Sequence, residues 1–253
     1  MSTYFMRYLL LCSLTLILCT CAPSPDGEAS TEEATTEMTE TADDGWEMLF
    51  DGDDVDKWRG YNRDAFPNLG WRVENGELMV EHSGTEEAGF GGDIITREKF
   101  KDFELELEFN LTDTANSGIL YLVREVEDTP IWHSAPEYQL LDDETYKVTY
   151  PELTDKQMTG ANYDMHAQTE NYSNPIGEWN TAKIIKRGPH VEHWLNGNLV
   201  IEYDLHDNDW EQRYQASKFS DYPTYASVDE GHIGLQDHGH LVRFRNVKIK
   251  RLE

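Results

Sequence analysis

The chain has no cysteine after residue 21, since its three cysteines are Cys12, Cys19 and Cys21. The rest of the chain therefore has neither a disulfide nor a thiolate site, and its stability must come from its core. Basic residues are also scarce, because 21 Lys and Arg stand against 49 Asp and Glu, for a net charge of -28. Nucleic acids and anionic lipid headgroups need a basic surface, so the composition argues against both as partners.

The chain also lacks a convincing transmembrane helix at its N-terminus. The apolar run YLLLCSLTLILC follows Arg7 and is too short to span a bilayer well, which predicts a secretory signal peptide over residues 1–21. A cysteine directly after such a run is typical of bacterial lipoproteins, and Cys21, after the small Thr20, is a better lipidation candidate than Cys19. We expect an exported protein whose membrane contact is this lipid anchor, with plain secretion as the alternative.

Residues 22–45 contain no Lys, Arg, aromatic, Val or Ile, and read APSPDGEASTEEATTEMTETADDG. Low hydrophobicity combined with charge of one sign cannot offset the entropy lost on folding. The segment is therefore predicted to be a disordered acidic tether. The remaining residues, 46–253, are predicted to form one domain.

Apolar residues after the tether recur with the period of a strand. In KDFELELEFNL the apolar side chains alternate with Glu104, Glu106 and Glu108, which predicts a half-buried antiparallel strand. Asn-Gly pairs at residues 75–76 and 196–197 predict two hairpins. Strands dominate, the connection over 144–177 is long, and only short patches such as 207–214 suggest helix. We predict an all-β sandwich or jelly roll of two antiparallel sheets.

Two of the predicted strands carry polar side chains where a buried strand would carry aliphatic ones. In PEYQLLDD, Glu137 and Gln139 share one face, and in GLQDHGH, Gln236 and His238 share another. Solvated faces usually carry Lys, Glu and Thr, and glycines beside His238 leave room for a ligand to approach the backbone. We therefore expect the two segments to converge on one hollow that binds a small polar molecule.

Aromatic residues beside these polar segments suggest a sugar as the ligand. Flat apolar rings stack on the C–H face of a pyranose, and the segments around the polar strands contain Trp132, Tyr163 and Trp179. Trp71 and Trp194 lie within the predicted hairpins and are more simply explained as core residues.

Several longer blocks follow one another in a recognisable order: LFDGDDVDKW, SGILYLVRE, PEYQLLDD, TGANYD, GEWNTAKI, VEHWLNGNLV and GHIGLQDHGHLVRFRNVKIK. Together they resemble the 3-keto-disaccharide hydrolase family over nearly all of residues 46–253. The resemblance implies a concanavalin-like jelly roll in an exported or lipid-anchored bacterial protein. It also implies cleavage of 3-keto-glycosides by elimination and hydration, which amounts to net hydrolysis.

The chemistry of such a reaction suggests a role for each polar residue. A ketone at C3 acidifies the hydrogen at C2, and His238 or Glu137 would be the base that removes it. Arg124 and Gln236 would hold the enolate oxygen, and His166 would serve the leaving group. The expected contacts to the substrate come from Gln236, Gln139, Trp132, Trp179, Asp142 and Tyr163.

Three alternatives remain open at this point. No cofactor is identified, but a divalent metal bridging the ketone and the C2 hydroxyl would replace Arg124, with Glu137, Asp142, Asp237 or His238 as ligands. An ordinary glycosidase would use Glu137 with Asp142 or Asp237 as its two carboxylates. The third alternative is a carbohydrate-binding module without catalytic activity.

Overall fold

The computed structural model describes residues 44–83 and 89–253, which lie within one compact unit that spans Asp43–Glu253. The predicted signal peptide, nearly all of the acidic tether and the lipidation candidate Cys21 lie outside the described residues and stay predictions. Within the two described ranges, none of the helices has the length and apolar character needed to cross a membrane.

Eight strands form the larger sheet, called sheet A. They pair in the order β11, β10, β9, β6, β13, β4, β3, and β1 also pairs with β13. Their bounds are β1 Trp46–Phe50, β3 Trp71–Glu74, β4 Glu77–Val80, β6 Phe103–Leu111, β9 Trp179–Arg187, β10 His190–Leu195, β11 Asn198–Asp204 and β13 Val242–Arg251.

Five strands form sheet B, in the order β2, β5, β12, β7, β8. Their bounds are β2 Trp58–Gly60, β5 Ile94–Thr96, β7 Asn116–Val123, β8 Glu137–Leu141 and β12 His232–Leu235. Two α-helices, α1 Asp143–Thr149 and α2 Asn208–Ala216, lie in the connections, together with three short 3-10 helices, Ile131–His133, Asp155–Gln157 and Lys218–Asp221.

The alternation predicted for β6 is present in the structure. Phe103, Leu105 and Leu107 are buried, whereas the intervening Glu104 and Glu106 are half-buried. Each inward side chain removes apolar surface from water at about 25 cal/mol per Å², while the outward carboxylates stay near solvent. Strand β6 therefore lies in the middle of sheet A, with β9 on one side and β13 on the other.

Both predicted hairpins turn at their Asn-Gly pairs. Asn75 and Gly76 have φ angles of 55° and 80° between β3 and β4, and Asn196 and Gly197 have 49° and 79° between β10 and β11. Positive φ at both central residues is the geometry of a tight hairpin turn, and it explains why these two residue types occur there.

The inward faces of the two sheets pack against each other and form the main core, with β6, β9 and β13 from sheet A facing β7, β8 and β12 from sheet B. All strand pairs are antiparallel. The prediction of an all-β, concanavalin-like jelly roll of two antiparallel sheets is confirmed. The long connection over 144–177 is not plain loop, since it includes the last turn and a half of α1 and one 3-10 helix.

Candidate active site

Strand β8 presents two polar side chains to the outer face of sheet B. Tyr138 and Leu140 point into the core, so Glu137 and Gln139 point the other way. Only 5% of Glu137 and 3% of Gln139 is exposed, although the outer face of a sandwich sheet commonly meets water. Loops therefore cover this part of the outer face and leave a hollow over β8.

The end of β12 lies two strands away on the same face. Ile233 and Leu235 point into the core, so Gln236 points outward. The Gln236 N–H donates to the Gly118 oxygen at 3.0 Å, and Gly118 pairs with Gln139 across β7 and β8. Residues paired across strands share a face, so Gln236 and Gln139 lie in one row, about 10 Å apart for two strand spacings. The structure thus brings Gln236 and Gln139, from the two polar segments, to the same outer face of sheet B.

Gly118 makes room for the carboxylate of Glu137. A Cβ built at residue 118 would lie 2.0 Å from Oε1 of Glu137, so the carboxylate lies directly over the glycine. Beside it, Nε2 of Gln139 donates to Oδ1 of Asn116 at 3.1 Å, which orients the Gln139 amide. A buried carboxylate and an oriented amide thus occupy adjacent positions on β8.

A cavity of about 200 Å³ opens beside this row. Gln139 and Asn116 form part of its floor, and the rings of Tyr146 and Tyr163 stand in its walls. The volume is below the range of roughly 300 to 1,000 Å³ typical of drug-sized pockets, which favours a small ligand over a polymer.

Trp132 covers the neighbouring part of the outer face. It lies in the 3-10 helix Ile131–His133 and packs against the cluster that includes Leu120, the partner of Glu137 in the β7–β8 ladder. Its indole Nε1 is buried and has no hydrogen-bond partner within the described ranges. Leaving such a donor unmet costs about 1 to 3 kcal/mol, so a ligand hydroxyl would be stabilised there.

Tyr163 and Lys218 complete the wall near β8. The Tyr163 N–H donates to the Glu137 oxygen at 3.0 Å, which holds Tyr163 next to the carboxylate-bearing residue. The Lys218 ammonium lies 4.2 Å from the ring centre of Trp132 and 4.6 Å from that of Tyr163. The hollow therefore contains aromatic surface, amides, one carboxylate and one ammonium.

After Gln236 the chain leaves sheet B, and the next residue, Asp237, is buried. Asp237 accepts hydrogen bonds from the backbone N–H groups of Gly91, Gly92 and Gly239 at 3.0 to 3.1 Å. Burial raises the pKa of Asp237, and the three N–H groups oppose that shift. This carboxylate joins two loops. It is therefore not placed to be the metal ligand or second glycosidase carboxylate that the sequence allowed.

His238 is the next residue after Asp237 and is half-buried. It lies two residues from Gln236, which corresponds to at most about 7 Å along the backbone. Its ring stacks on His240 with centroids 6.1 Å apart, and His240 lies 6.0 Å from His82. His238 therefore stays a candidate at the β12 end of the hollow, whereas Glu137 lies at the β8 end.

The sequence of this chain is similar to that of a known protein family over most of its length. The model of the 3-keto-alpha-glucoside-1,2-lyase-like domain family matches residues 45–250. The chain belongs to this family. It is 38% identical over 231 residues to the 3-keto-disaccharide hydrolase of Bacteroides thetaiotaomicron, covering 83% of this chain and 79% of that relative.

Solved structures of similar proteins have the same architecture. A “putative glycosyl hydrolase” from Parabacteroides distasonis superposes with a TM-score of 0.73 at 34% identity, covering 83% of this chain and 94% of the other. A Bacillus subtilis protein of unknown function with a galectin-like fold superposes with a TM-score of 0.51 at 15% identity, covering 81% and 94%. The second likeness supports the fold alone.

For this family member, Trp179 is not part of the hollow, contrary to the sequence prediction. It is the first residue of β9 in sheet A and pairs with Asn110. The guanidinium of Arg245 lies 4.0 Å from its ring centre, and Arg245 also binds Glu108 on the outer face of sheet A. A tryptophan at a strand end can cover a surface arginine as readily as a sugar, and only the pairing shows which face it occupies.

Arg124 is also displaced from its predicted position. It follows the end of β7 and is exposed, four residues beyond Leu120, or about 13 Å along a strand. Its neighbour Glu125 binds Arg59 through both carboxylate oxygens. The backbone of Arg124 therefore does not lie over the row that contains Gln236 and Gln139.

His166 lies in a stack of aromatic rings. Its ring centroid is 4.4 Å from that of Tyr203 and 6.0 Å from that of Trp210. The preceding Asn162 pairs with Tyr138, whose ring points into the core, so this segment directs His166 away from the outer face. Burial lowers the pKa of His166 to about 4, with a further contribution from a nearby arginine. The ring is neutral near pH 7 and is not a proton donor for a leaving group.

Asp142 stabilises the start of α1 instead of contacting the hollow. Its carboxylate accepts from the backbone N–H groups of Thr145 and Thr114 at 3.2 and 2.9 Å. The next residue, Asp143, is buried beside a second cavity of about 330 Å³. Burial raises its pKa to about 6, although Thr159 donates to it through both its N–H and its hydroxyl. Both carboxylates support the end of β8.

The four residues considered as metal ligands do not form one site. Asp142 and Asp237 are bound to backbone N–H groups in separate places, and Glu137 and His238 lie at opposite ends of the hollow. Over residues 44–83 and 89–253, no group of three or more His, Cys, Asp or Glu side chains is arranged to hold a metal ion. The residues present therefore do not fit a bound metal, and the chemistry of the site is that of its side chains.

Two features of the site are absent from the sequence prediction. The first is the close approach of the Glu137 carboxylate to Gly118. The sequence SGILYLV contained a signal for it, since an isolated glycine inside a strand often marks a place where another group approaches the backbone closely. Lys218 carried no such signal. It follows α2 in a segment without strand periodicity, and its ring partners come from two distant parts of the chain.

Proposed function

We propose that this protein cleaves 3-keto-glycosides, with 3-keto-disaccharides as the substrate class. The observation that carries the proposal is a buried carboxylate in one hollow with two amides, Glu137 with Gln139 and Gln236, in a member of the 3-keto-alpha-glucoside-1,2-lyase-like family. The name of the Bacteroides thetaiotaomicron relative supports the same substrate class.

The first step is removal of the hydrogen at C2. The C3 ketone makes this hydrogen acidic, because the electron pair left at C2 is delocalised onto the C3 oxygen. Glu137 takes the proton, since its carboxylate lies over Gly118 where a sugar ring can lie against sheet B. A positioned base of this kind contributes about 10²- to 10⁴-fold to the rate.

The second step is loss of the substituent at C1. As the enolate collapses, the C3 carbonyl re-forms, a C1–C2 double bond appears, and the C1–O bond breaks with its electrons on the leaving oxygen. His238 protonates this oxygen, because it lies two residues beyond Gln236, at the β12 end of the row that contains the two amides. In this scheme His238 takes the role that the sequence suggested for His166.

The amides of Gln139 and Gln236 orient the sugar through its hydroxyl and ketone oxygens. Asn116 already accepts one hydrogen bond from Gln139, so the Gln139 side chain is held before the substrate arrives. Trp132 and Tyr163 supply the apolar surface for a ring face, and the buried indole N–H supplies a further donor. Preorganised donors of this kind stabilise the developing charge without reorganisation.

The last step is addition of water across the C1–C2 double bond. His238, which gave its proton to the leaving oxygen, takes a proton from water, and the hydroxide adds at C1. The enolate that forms takes back at C2 the proton held by Glu137, so both side chains return to their starting state. The sum of elimination and hydration is hydrolysis of the glycosidic bond, with no change of oxidation state.

We also propose that the enzyme works outside the cytoplasm. The predicted signal peptide over residues 1–21 and a lipid on Cys21 would hold it at the cell envelope, with the acidic segment between the anchor and the domain. Labelling with a radioactive fatty acid and replacement of Cys21 by Ser test this expectation. A secreted, unlabelled wild-type protein would replace the anchor with plain secretion.

The direct test of function is incubation of the purified protein with 3-keto-trehalose and other 3-keto-glucosides, with and without a chelator, while free 3-keto-glucose is followed. We expect release from the keto-sugars, no cleavage of unoxidised trehalose, and no loss of rate on chelation. Cleavage of unoxidised disaccharides would instead support a two-carboxylate glycosidase. Binding of an unoxidised glycan without any product from a keto-sugar would support a binding module.

A further inference from the structure

Lys218 presents its ammonium group to the hollow. It is the first residue of the 3-10 helix Lys218–Asp221, and Nζ lies 4.2 Å from the ring centre of Trp132 and 4.6 Å from that of Tyr163. A cation within about 6 Å of a ring face is attracted by the ring quadrupole. Tyr163 also lines the cavity beside Gln139, so the ammonium contacts one of the rings that bound this cavity.

The backbone that carries Lys218 is fixed from both sides. Its N–H donates to Oδ2 of Asp164 at 3.1 Å. The next side chain, Phe219, is buried and stacks on Tyr225 with centroids 4.0 Å apart. The flexible lysine stem therefore starts from a held position, which limits where the ammonium can lie.

Over residues 44–83 and 89–253, the ammonium of Lys218 contacts aromatic rings and no carboxylate, since Asp164 binds the backbone N–H of Lys218. Within the described parts of the chain, Lys218 forms no ion pair within 4.0 Å, whereas Lys183, Lys186 and Lys248 each contact a carboxylate. In a chain with a net charge of -28, a cation held by aromatic rings in place of a carboxylate is available to an electron-rich ligand.

Lys218 is also close to the proposed base. Tyr163 is hydrogen-bonded to the backbone of Glu137, and Trp132 packs over the cluster that includes Leu120, the strand partner of Glu137. The two rings that contact the ammonium are therefore both tied to the strand pair that carries Glu137. A sugar ring lying over this carboxylate would also be near the ammonium.

We infer that Lys218 is the cation that stabilises the C3 oxygen of the substrate during proton removal, the role for which the sequence had suggested Arg124. This inference rests on the proposed function. When the base takes the C2 proton, the C–H electron pair forms the C2–C3 double bond and the carbonyl π pair moves to the C3 oxygen. The ammonium of Lys218 donates a hydrogen bond to that oxygen, forms no covalent bond and keeps its protons.

The test compares Lys218→Met, Lys218→Arg and a matched control, Lys101→Met, which removes an exposed lysine at the turn before β6. For each variant, kcat and KM for 3-keto-trehalose are measured, together with exchange of the C2 hydrogen in D2O. We expect Lys218→Met to lower kcat about 10²- to 10³-fold, the size of effect found when one oxyanion donor is removed, and to slow C2 exchange in parallel. Lys218→Arg keeps the charge and should lose less, and Lys101→Met should match the wild type.

Several results would overturn the inference. Wild-type kcat and C2 exchange in Lys218→Met, alongside loss of turnover in Glu137→Gln, would remove Lys218 while leaving the proposed function in place. A raised KM with unchanged kcat would also overturn it, since that pattern indicates uniform binding. A wild-type protein inactive on every keto-glucoside would overturn the function and this inference together. If Lys218→Met does not fold, Lys218→Gln must show the same loss of kcat.

Discussion

The outer faces of the two sheets have the same alternation of side chains but opposite surroundings for their carboxylates. On sheet A, Glu106 lies between Lys183 and Lys248, at 3.2 and 2.8 Å, in a half-buried row of ion pairs. On sheet B, Glu137 lies over a glycine and beside an amide, with 5% of its surface exposed. A carboxylate between lysines stabilises a solvated surface, whereas the Glu137 carboxylate fills the space left by the missing side chain of Gly118 and is withdrawn from water.

The difference also concerns what lies over each of these carboxylates. The ion pairs of sheet A remain in water at little cost, so nothing needs to cover them. The row on sheet B is covered by the 3-10 helix Ile131–His133 and by Tyr163. Trp132 in that helix brings an apolar surface and a buried N–H donor to the hollow. The candidate site thus lies where long connections cover β7 and β8, next to a glycine of β7 that has no side chain.

The largest expected effect comes from Glu137→Gln. The amide keeps the size of the side chain but cannot accept the C2 proton, so kcat on 3-keto-trehalose should fall about 10²- to 10⁴-fold. The unfolding free energy should change by less than about 1.5 kcal/mol, because the amide has the same shape and can still take part in hydrogen bonds. Steady-state kinetics and urea unfolding measure the two quantities. Undiminished turnover would transfer the role of base to His238.

The second-largest effect is expected at Leu105, which lies on the inner face of β6, the strand whose outer face carries Glu106. Leu105 is 1% exposed in the main core, so Leu105→Ala should lower the unfolding free energy by about 2 to 5 kcal/mol. The kcat of the protein that remains folded should be unchanged, since Leu105 lies on the opposite sheet from the hollow. Urea unfolding with parallel kinetics measures both, and a loss below about 1 kcal/mol would contradict the position of Leu105 in the core.

Much of the fold could be predicted because its signals are local. The alternation over Phe103–Leu111 and the two Asn-Gly turns each depend on a few consecutive residues. The same alternation places Glu137 and Gln139 on one face, and it extends to Gln236 because β12 keeps its register with β7 from Gly234 to that residue, after a register shift at His232. The two-residue period of the strands and the register of their pairing therefore account for the prediction that Glu137, Gln139 and Gln236 lie on a common face.

The remaining site residues could not be predicted because their roles depend on partners distant in sequence. Asp237 is polar and adjacent to Gln236, yet its hydrogen bonds to a loop some 146 residues earlier make it structural. Trp179 and His166 have residue types that suit a sugar site, but strand pairing and ring stacking direct them elsewhere. Lys218 shows the converse, since only the tertiary structure brings it to Trp132 and Tyr163.

A smaller effect is expected from pH, and its sign differs between the two sheets. Burial raises the pKa of Asp143, beside the end of β8, from 3.8 to about 6. The folded state then binds this proton more tightly than the unfolded state, so its contribution to stability is full below about pH 4 and is lost as the pH rises through 6. On sheet A, burial opposes ionisation of Glu106, but hydrogen bonds from Lys248 and Lys183 outweigh it and lower the pKa. That contribution is present near neutral pH and is lost as the pH falls.

Asp143→Asn isolates the first of these contributions. The amide oxygen can still accept from Thr159 but cannot ionise, so the variant should equal the wild type near pH 4. At pH 7.5 it should be more stable, by at most about 3 kcal/mol for a shift of two pKa units. Urea unfolding at pH 4, 6 and 7.5 measures the difference. Equal destabilisation at all three pH values would show that the hydrogen bonds of Asp143 matter and its ionisation does not.

The smallest effect is expected from Glu106→Gln, the matched control for Glu137→Gln on the opposite sheet. Lys183 keeps a second carboxylate partner, Glu104 at 2.9 Å. Lys248 loses Glu106 but is 31% exposed and still lies 4.8 Å from the ring centre of Trp46. Partly exposed ion pairs contribute little, and the unfolding free energy should change by at most about 1 kcal/mol. Turnover should match the wild type. If Glu106→Gln lowered kcat as much as Glu137→Gln, loss of a negative charge anywhere on the sandwich would explain both, and the distinction between the two faces would fail.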